Sequence, residues 1–437
     1  MIKTVVGVVG LGYVGLPLAV GFAEAGCEVI AVDLDERKVE AVSRGESYIE
    51  DVSSDRLGEV RHAIRASTTF DALAGADAII VCVPTPLTAN REPDLAPLIA
   101  AGRALAPFIR RGQTVVLEST TYPGTTREIF GPLLEADGLA CGKDFHLAFS
   151  PERVDPGRTD FTMRTTPKVV GGLTEACGDA AEQLYGAVCD QIVRVTSPEV
   201  AELTKLHENI FRSVNIAMVN EMSILCDRMK IDVWEVVDAA STKPYGFMRF
   251  EPGPGMGGHC LPIDPFYLSW RARQFDMSTE FIELAGKVNQ HMPYYCVQQV
   301  SRALNGRDRS VSGARVTLLG VSYKAGVGDI RESPALKMIS LLKEMGAHVS
   351  YHDRYVPRLD EHGLEHVELD EALDTADAVV IVTAHPDLDY RAIAADSTAA
   401  VIDLRGALRE RLVQAPPRAP VASEEASGRP AQAGVSA

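Results

Sequence analysis

The stretch Val5-Val6-Gly7-Val8-Val9-Gly10-Leu11-Gly12-Tyr13-Val14-Gly15 decides the architecture of this chain. A short apolar run enters three glycines spaced GxGxxG, and the residues from Gly15 to Ala25 continue with helical character. A strand, a glycine turn and a helix in that order open a βαβ unit that holds a dinucleotide. Gly10 permits the tight turn, Gly12 lets the backbone approach a pyrophosphate, and Gly15 lets helix and strand pack closely. Tyr13 and Val14 lie in the turn and count with them as cofactor contacts. The helix N-terminus offers unpaired N–H groups and a positive dipole end to phosphates. A second apolar strand, Glu28–Val32, ends in Asp33, 18 residues after Gly15. A carboxylate there accepts hydrogen bonds from ribose hydroxyls and disfavours a 2′-phosphate, so the expected cofactor is NAD rather than NADP. Arg37 and Lys38 stand close enough to temper that preference.

Outward from this unit, Ala78–Val83 and Thr114–Leu117 read as further strands, closed by Pro84-Thr85-Pro86 and by Ser119-Thr120-Thr121. Both ends fall on the ligand-bearing edge of such a sheet, which makes Pro84, Thr85, Ser119 and Thr120 candidate cofactor contacts. Hydroxyls at strand ends also serve as caps and turns. From Pro198 to Lys230 no internal Pro or Gly interrupts a helical pattern carried by Leu203, Leu206, Ile210, Val214, Ala217 and Met218. Such a helix is roughly 45–50 Å long at 1.5 Å per residue, long enough to bridge domains or form a subunit interface. Alternation resumes at Ala314–Leu319, with a helix at Pro334–Met345 and strands at His348–Tyr351, Ala378–Thr383 and Ala400–Leu404. The predicted class is α/β: two Rossmann-like domains with parallel sheets, joined by a helical middle domain containing the long central helix. The expected units are residues 1–198, 199–305 and 312–412. An Ala/Pro/Ser/Gly-rich stretch over 415–437 has the composition of a disordered tail.

Composition narrows the partners. The 437 residues carry a net charge of -17, a field that repels nucleic acid and anionic membranes, so neither is an expected partner. The N-terminus lacks a signal-peptide pattern, and no stretch approaches the roughly 18 apolar residues of a membrane span. The eight cysteines form no CxxC pair and no zinc-ligand spacing, so no metal is expected, and the chain reads as a reduced cytoplasmic protein.

Cys260 stands apart from the other cysteines. It follows Gly257 and Gly258 and precedes Pro262 and Asp264, in Gly255-Met256-Gly257-Gly258-His259-Cys260-Leu261-Pro262-Ile263-Asp264. A glycine-rich loop admits a substrate and gives little reason for a core residue, so the thiol reads as functional. His259 is its neighbour, but adjacent residues of an extended loop point apart. Lys205 and Asn209 are four apart on the long helix and share a face, where cation and amide would stabilise an oxyanion. In isolation that spacing more often marks a solvated polar stripe. Glu152, in Phe149-Ser150-Pro151-Glu152-Arg153, carries no signal alone.

Taken together the motifs resemble those of the nucleotide-sugar 6-dehydrogenases, the family that oxidises UDP-glucose, UDP-N-acetylglucosamine and UDP-N-acetylmannosamine. The resemblance runs from about residue 3 to 410 through GLGYVGLP (10–17), VPTP (83–86), STTYPGT (119–125), SPER (150–153), AELTKLHEN (201–209), GGHCLPIDP (257–265) and SYKAGVGDIRES (322–333). It implies a four-electron, NAD-dependent oxidation of a C6 hydroxymethyl group to the uronate. Cys260 would form a thiohemiacetal and then a thioester, with Lys205 and Asn209 on the oxyanion. Asp264 and Thr120 would hold a water and accept a proton, and Glu152 would assist hydrolysis. Lys324 would reach the shared site from the C-terminal domain, with Arg331 beside the cofactor and Arg405 beside the substrate. Arg153, Tyr245, Phe250 and Gly257 complete the implied substrate contacts. The implied partners are a nucleoside-diphosphate sugar and a second copy of the chain, paired as a homodimer through the long helix.

Within that resemblance, PGPGMGGHCLPIDPFYLSW (252–270) looks most like the UDP-N-acetylglucosamine branch. The alternatives are UDP- or TDP-glucose, or UDP-N-acetylmannosamine, in polysaccharide or secondary-metabolite biosynthesis. Two rivals lie further off: a two-electron 3-hydroxyacid dehydrogenase, and a non-catalytic nucleotide-sugar sensor.

Overall fold

The computed structural model describes residues 4–88, 90–135, 138–154, 160–258 and 261–410. Its N-terminal part is an eight-stranded sheet, with strands β1 (Val5–Val9), β2 (Glu28–Val32), β3 (Ile64–Ser67), β4 (Ala78–Val81), β5 (Thr114–Leu117), β6 (His146–Phe149), β7 (Lys168–Gly172) and β8 (Ile192–Val195). The order is β3-β2-β1-β4-β5-β6-β7-β8. β1, β4 and β5 are buried nearly throughout, as expected of strands covered on both faces. The turn after β1 leads into α1 (Gly15–Glu24). Because β1 has β2 on one side and β4 on the other, the chain reverses its direction of sheet growth there and leaves a crevice at the strand ends.

The expected parallel sheet is present, with one antiparallel pair inside it. β6 and β7 pair antiparallel, Ala148 opposite Gly172 and Phe149 opposite Gly171. Among the described residues no helix intervenes between these strands, and a parallel partner needs a crossover. Parallel pairing returns between β7 and β8, joined through α2 (Glu175–Tyr185).

The long helix α3 spans Pro198–Met229, capped by Ser197, which accepts from the Val200 N–H, and stopped by Lys230 in the left-handed region (φ 58°). Only part of the predicted apolar stripe is buried. Leu206, Ile210 and Ala217 face the core, whereas Leu203 and Met218 face outward. α4 (Asp264–Arg273) and α5 (Glu280–Asn305) pack against α3. Tyr122, Leu206, Ile210 and Tyr267 form a small apolar cluster that seats α3 and α4 on the loop after β5.

The C-terminal part has strands β9 (Arg315–Leu319), β10 (His348–His352), a small antiparallel pair β11 (Arg358–Leu359) and β12 (Leu364–Glu365), then β13 (Ala378–Ile381) and β14 (Ala400–Asp403). The main sheet runs β10-β9-β13-β14, all parallel, with α6 (Pro334–Glu344) packed beside it. Apolar clusters cover both faces of each large sheet. β4 and β13 stop at Val81 and Ile381, two residues short of the apolar runs that announced them. The expected tail, 415–437, lies outside the described residues.

Candidate active site

The three glycines after β1 divide their work. Gly10 has φ +93°, and a Cβ there would sit 2.6 Å from the Cys82 carbonyl. A Cβ on Gly15 would collide with the Gly10 carbonyl, whereas one on Gly12 would meet nothing within 4 Å. Gly10 and Gly15 are therefore required by packing, and Gly12 borders open space at the start of α1. That helix has no side-chain cap and no acidic residue in its first turn, which suits an anion. Asp33 accepts from the Leu11 N–H (2.7 Å), the Asp35 N–H (2.9 Å) and Lys38 Nζ (3.1 Å). Arg37 turns instead to Asp35 and lies in solvent, so Lys38 is the cation that tempers Asp33. An open approach, an uncapped helix and a carboxylate at the end of β2 fit a dinucleotide. The Thr85 and Ser119 hydroxyls donate to the Thr120 carbonyl (2.7 Å) and the Val83 carbonyl (2.6 Å), so they tie the strand ends together. Pro84 is exposed beside them.

The second feature is a polar stripe inside α3. Glu202, Lys205, Asn209, Ser213 and Asn220 recur at helical spacing and all are buried. Lys205 is only 7% exposed, which replaces the solvated-stripe reading of its spacing. Its ammonium donates to the Glu152 carbonyl at 2.5 Å. Asn209 donates to Asp264 Oδ2 at 2.5 Å, and its own oxygen accepts from Arg212. Burial pushes the Asp264 carboxyl up to about 6, against the opposing pull of Lys205, Asn209 and Arg212. Glu202 accepts from the Gly124 N–H (2.6 Å), the Thr126 N–H (2.8 Å) and the Thr126 hydroxyl (2.7 Å). It thus anchors the loop that follows Ser119-Thr120-Thr121.

The same stripe fixes the approach to the glycine loop. Asn220 accepts from the Gly253 N–H and donates to Asn289, both at 2.9 Å, and Asn289 donates to the Ser213 carbonyl at 3.1 Å. Gly258 N–H donates to the Arg331 carbonyl at 2.9 Å. Tyr323 packs so closely that a Cβ on Gly257 or Gly258 would stand 2.6 or 2.9 Å from it. Gly257 is thus a packing requirement beside the site. His259 and Cys260 lie outside the described residues.

The remaining sequence candidates divide into those gathered here and those set apart. Glu152 accepts from the Val154 N–H with one oxygen, and its other oxygen is 3.8 Å from Lys168. Arg153 pairs with Glu208 (2.7 Å) and donates to the Pro167 carbonyl (2.6 Å). Lys324 lies on the loop after β9, where the Ser322 hydroxyl donates to the Lys324 carbonyl (2.9 Å). Arg331 pairs with Asp329 and stands over the Tyr13 ring, 5.0 Å from its centroid, so the C-terminal unit touches the dinucleotide turn. Burial pulls the Arg405 guanidinium down as it packs against Gly253. Phe250 packs edge-on to Phe211. Tyr245 is 73% exposed near Lys243, apart from the cluster.

Sequence reading missed Glu202 and Arg212, although each lies three residues from Lys205 or Asn209 on α3. It also missed Tyr267, whose hydroxyl donates to the Thr85 and Pro86 carbonyls (3.0 and 3.2 Å), and Lys168. No local signal marks either of those two, because their partners are distant in sequence.

Residues 4–189, 199–291 and 317–410 match the NAD binding, central and UDP binding domains of the UDP-glucose/GDP-mannose dehydrogenase family. The chain belongs to that family. It is 35% identical over 385 residues to a UDP-N-acetyl-D-mannosamine dehydrogenase of Pyrococcus horikoshii, covering 87% of this chain and 90% of the relative. It is 34% identical over 426 residues to the Escherichia coli UDP-N-acetyl-D-mannosamine dehydrogenase, covering 92% and 99%. Among solved structures, the UDP-D-ManNAc dehydrogenase of Pyrococcus horikoshii superposes with a TM-score of 0.86 at 34% identity, covering 93% and 96%. The chain is therefore an NAD-dependent nucleotide-sugar dehydrogenase. Among its described residues no helix is long and apolar enough to cross a membrane.

Proposed function

We propose that this enzyme oxidises the C6 hydroxymethyl of a UDP-N-acetylhexosamine to the uronate in two successive two-electron steps through Cys260. The observation that carries this reading is the buried Lys205–Asn209–Asp264 cluster, whose Asp264 follows Cys260 by four residues. NAD, when bound along the Gly10–Gly15 turn with Asp33 at the ribose, supplies the hydride acceptor for each oxidation. Asp264 and Thr120 hold a water that takes the alcohol proton. The Cys260 thiol adds to the aldehyde, forming a C–S bond and a thiohemiacetal, and the second oxidation leaves a thioester. Lys205 and Asn209 stabilise the oxyanion that precedes each collapse. Glu152 assists water in cleaving the C–S bond, releasing the carboxylate and restoring the thiol.

The glycine loop reads toward the UDP-N-acetylglucosamine branch, while the relatives named above are N-acetylmannosamine enzymes. Both support an N-acetylhexosamine, and the second supports the manno epimer. UDP- and TDP-glucose are the alternatives. Presented with these sugars in turn, the enzyme should yield two NADH per molecule with an N-acetylhexosamine and be slowest with the glucose nucleotides. One NADH per sugar, or a preference for glucose, would overturn this reading. Cys260→Ser should bind NAD and sugar yet form no acid.

We read the three units as an NAD domain (1–198), a helical middle (199–305) and a nucleotide-sugar domain (312–412). The exposed Leu203, Phe211, Met218, Met222, Leu225 and Met229 of α3 support a homodimer through that helix. Light scattering should give twice the chain mass, and a monomer would exclude it.

A further inference from the structure

A charged group lies buried behind the cluster just described. Lys168 opens β7 within the core, where its ammonium pairs with Glu118 at the end of β5 and lies 5.0 Å from the centre of the Tyr185 ring. Tyr185, the last residue of α2, donates its hydroxyl to the second Glu118 oxygen at 2.5 Å. Burial pulls the ammonium down, but Glu118 and then Glu152 more than offset it, so Lys168 stays charged. The other titratable groups around it are Cys82 and Cys189, and burial pushes both thiols up, away from ionisation.

Stability alone does not explain this arrangement. Burying an ion pair is often neutral or unfavourable against apolar residues of the same volume. Lys168 has a third neighbour, however: Glu152 Oε2, at 3.8 Å. That separation is too long for a good hydrogen bond but within ion-pair reach. Glu152 is therefore held on three sides, by Lys168 behind, by the Val154 N–H at its other oxygen, and by Lys205 at its carbonyl. The cation paired with the Glu152 carboxylate is thus Lys168, whereas Lys205 meets Glu152 at its carbonyl.

We propose that Lys168, locked by Glu118 and Tyr185, is a positioning residue that holds the Glu152 carboxylate ready for thioester hydrolysis and leaves the remaining donors of Lys205 to the oxyanion. This rests on the four-electron reading above, in which Glu152 serves the last step. Both oxidations precede hydrolysis, so the two roles separate in time. The test is rapid mixing of enzyme, NAD and UDP-N-acetylhexosamine, recording NADH, with wild type, Lys168→Met and Lys168→Arg. In Lys168→Met a burst of two NADH per active site should form at the wild-type rate, followed by steady turnover slowed about tenfold or more, since general acid–base assistance contributes roughly 10²–10⁴-fold. KM for the sugar should hardly move, and Lys168→Arg should recover most of the steady rate. If Lys168→Met does not fold, the double variant Glu118→Gln/Lys168→Met removes the orphaned charge and should show the same burst. Equal slowing of burst and steady state, unchanged turnover, or no recovery with arginine would overturn the proposal. A wild-type yield of one NADH per sugar would instead overturn the four-electron reading beneath it.

Discussion

The two α/β units open with the same device and put it to different uses. In the first, Gly10 (φ +93°) follows β1, the Leu11 N–H donates to Asp33 Oδ2 (2.7 Å), and the Asp35 N–H donates to Oδ1 (2.9 Å). In the second, Gly320 (φ +78°) follows β9, the Val321 N–H donates to Asp353 Oδ2 (2.7 Å), and the Tyr355 N–H donates to Oδ1 (3.0 Å). The third partner separates them. Asp33 meets Lys38 at a partly open edge, with its side chain 11% exposed. Asp353 is fully enclosed and meets the Ser322 N–H and His385 Nε2 (3.0 and 3.1 Å). His385 Nδ1 accepts from the Gly326 N–H, so the ring proton belongs on Nε2 and the imidazole bridges β10 to the loop bearing Lys324. The helices differ as well. α1 starts at Gly15, five residues beyond Gly10, whereas α6 starts at Pro334, 14 beyond Gly320. An early helix makes a phosphate site, and a delayed one leaves a loop free to reach the glycine loop at Gly258 and the N-terminal unit, where the Gly328 N–H donates to Glu50 (3.0 Å). One architecture therefore yields a cofactor turn in one copy and a structural brace in the other.

That contrast can be broken by substitution. Asp353→Ala would orphan three backbone N–H groups and His385 in the interior, so it should cost about 3 kcal/mol of stability or more, since each buried donor left unpaired costs about 1–3 kcal/mol. Asp33→Ala should cost clearly less, and chemical denaturation of both variants would show a mistaken comparison if the order were reversed. Chemistry should reside in neither turn but on α3. Lys205→Ala should lose about 10²–10³-fold in turnover, about 2.7–4 kcal/mol, with sugar affinity changed far less. Because Lys205 is buried and bonded to Glu152, a thermal scan must accompany the kinetics; weaker binding with normal turnover would make it a ground-state contact.

Asp33→Asn keeps an acceptor for Leu11 while removing the charge, so NAD should remain bound and its advantage over NADP should shrink about tenfold. Unchanged discrimination would show that Lys38 already neutralises Asp33. The smallest effect concerns pH. With Asp264 pushed up to about 6, turnover should fall as pH drops through that value, because the protonated acid no longer accepts a proton. The raised value also means that ionisation opposes folding, so the benefit of the neutral form disappears above pH 6. Asp264→Asn, which removes that ionisation, should then be at least as heat-stable as wild type at pH 8, and a clear loss of stability there would contradict the sign.

Local pattern explains how far the sequence could be read. β1, β2, β4 and β5 each carry a short apolar run closed by turn signals, and α3 has no glycine and only its first-turn proline, so each announced itself. β7 did not, because Lys168-Val169-Val170-Gly171-Gly172 begins with a charge and ends with glycines, and its antiparallel turn against β6 has no crossover helix to signal it. Lys205 and Asn209 were legible as sharing a face, but their burial depends on α4 and on the loop holding Glu152. The resemblance supplied the roles that spacing could not. Lys168 was absent from every motif because Glu118 and Tyr185 come from 50 residues before it and 17 after it.

The most direct test of this division of labour is equilibrium titration of NAD and of UDP against wild type and Gly12→Glu. Gly12 borders open space, so the added side chain should leave the fold intact and place a carboxylate where a pyrophosphate would lie. One NAD should bind per wild-type chain, and the variant should lose NAD while retaining UDP at wild-type affinity. NAD binding undiminished in Gly12→Glu, or a second NAD on each wild-type chain, would contradict the assignment of cofactor and nucleotide sugar to separate units.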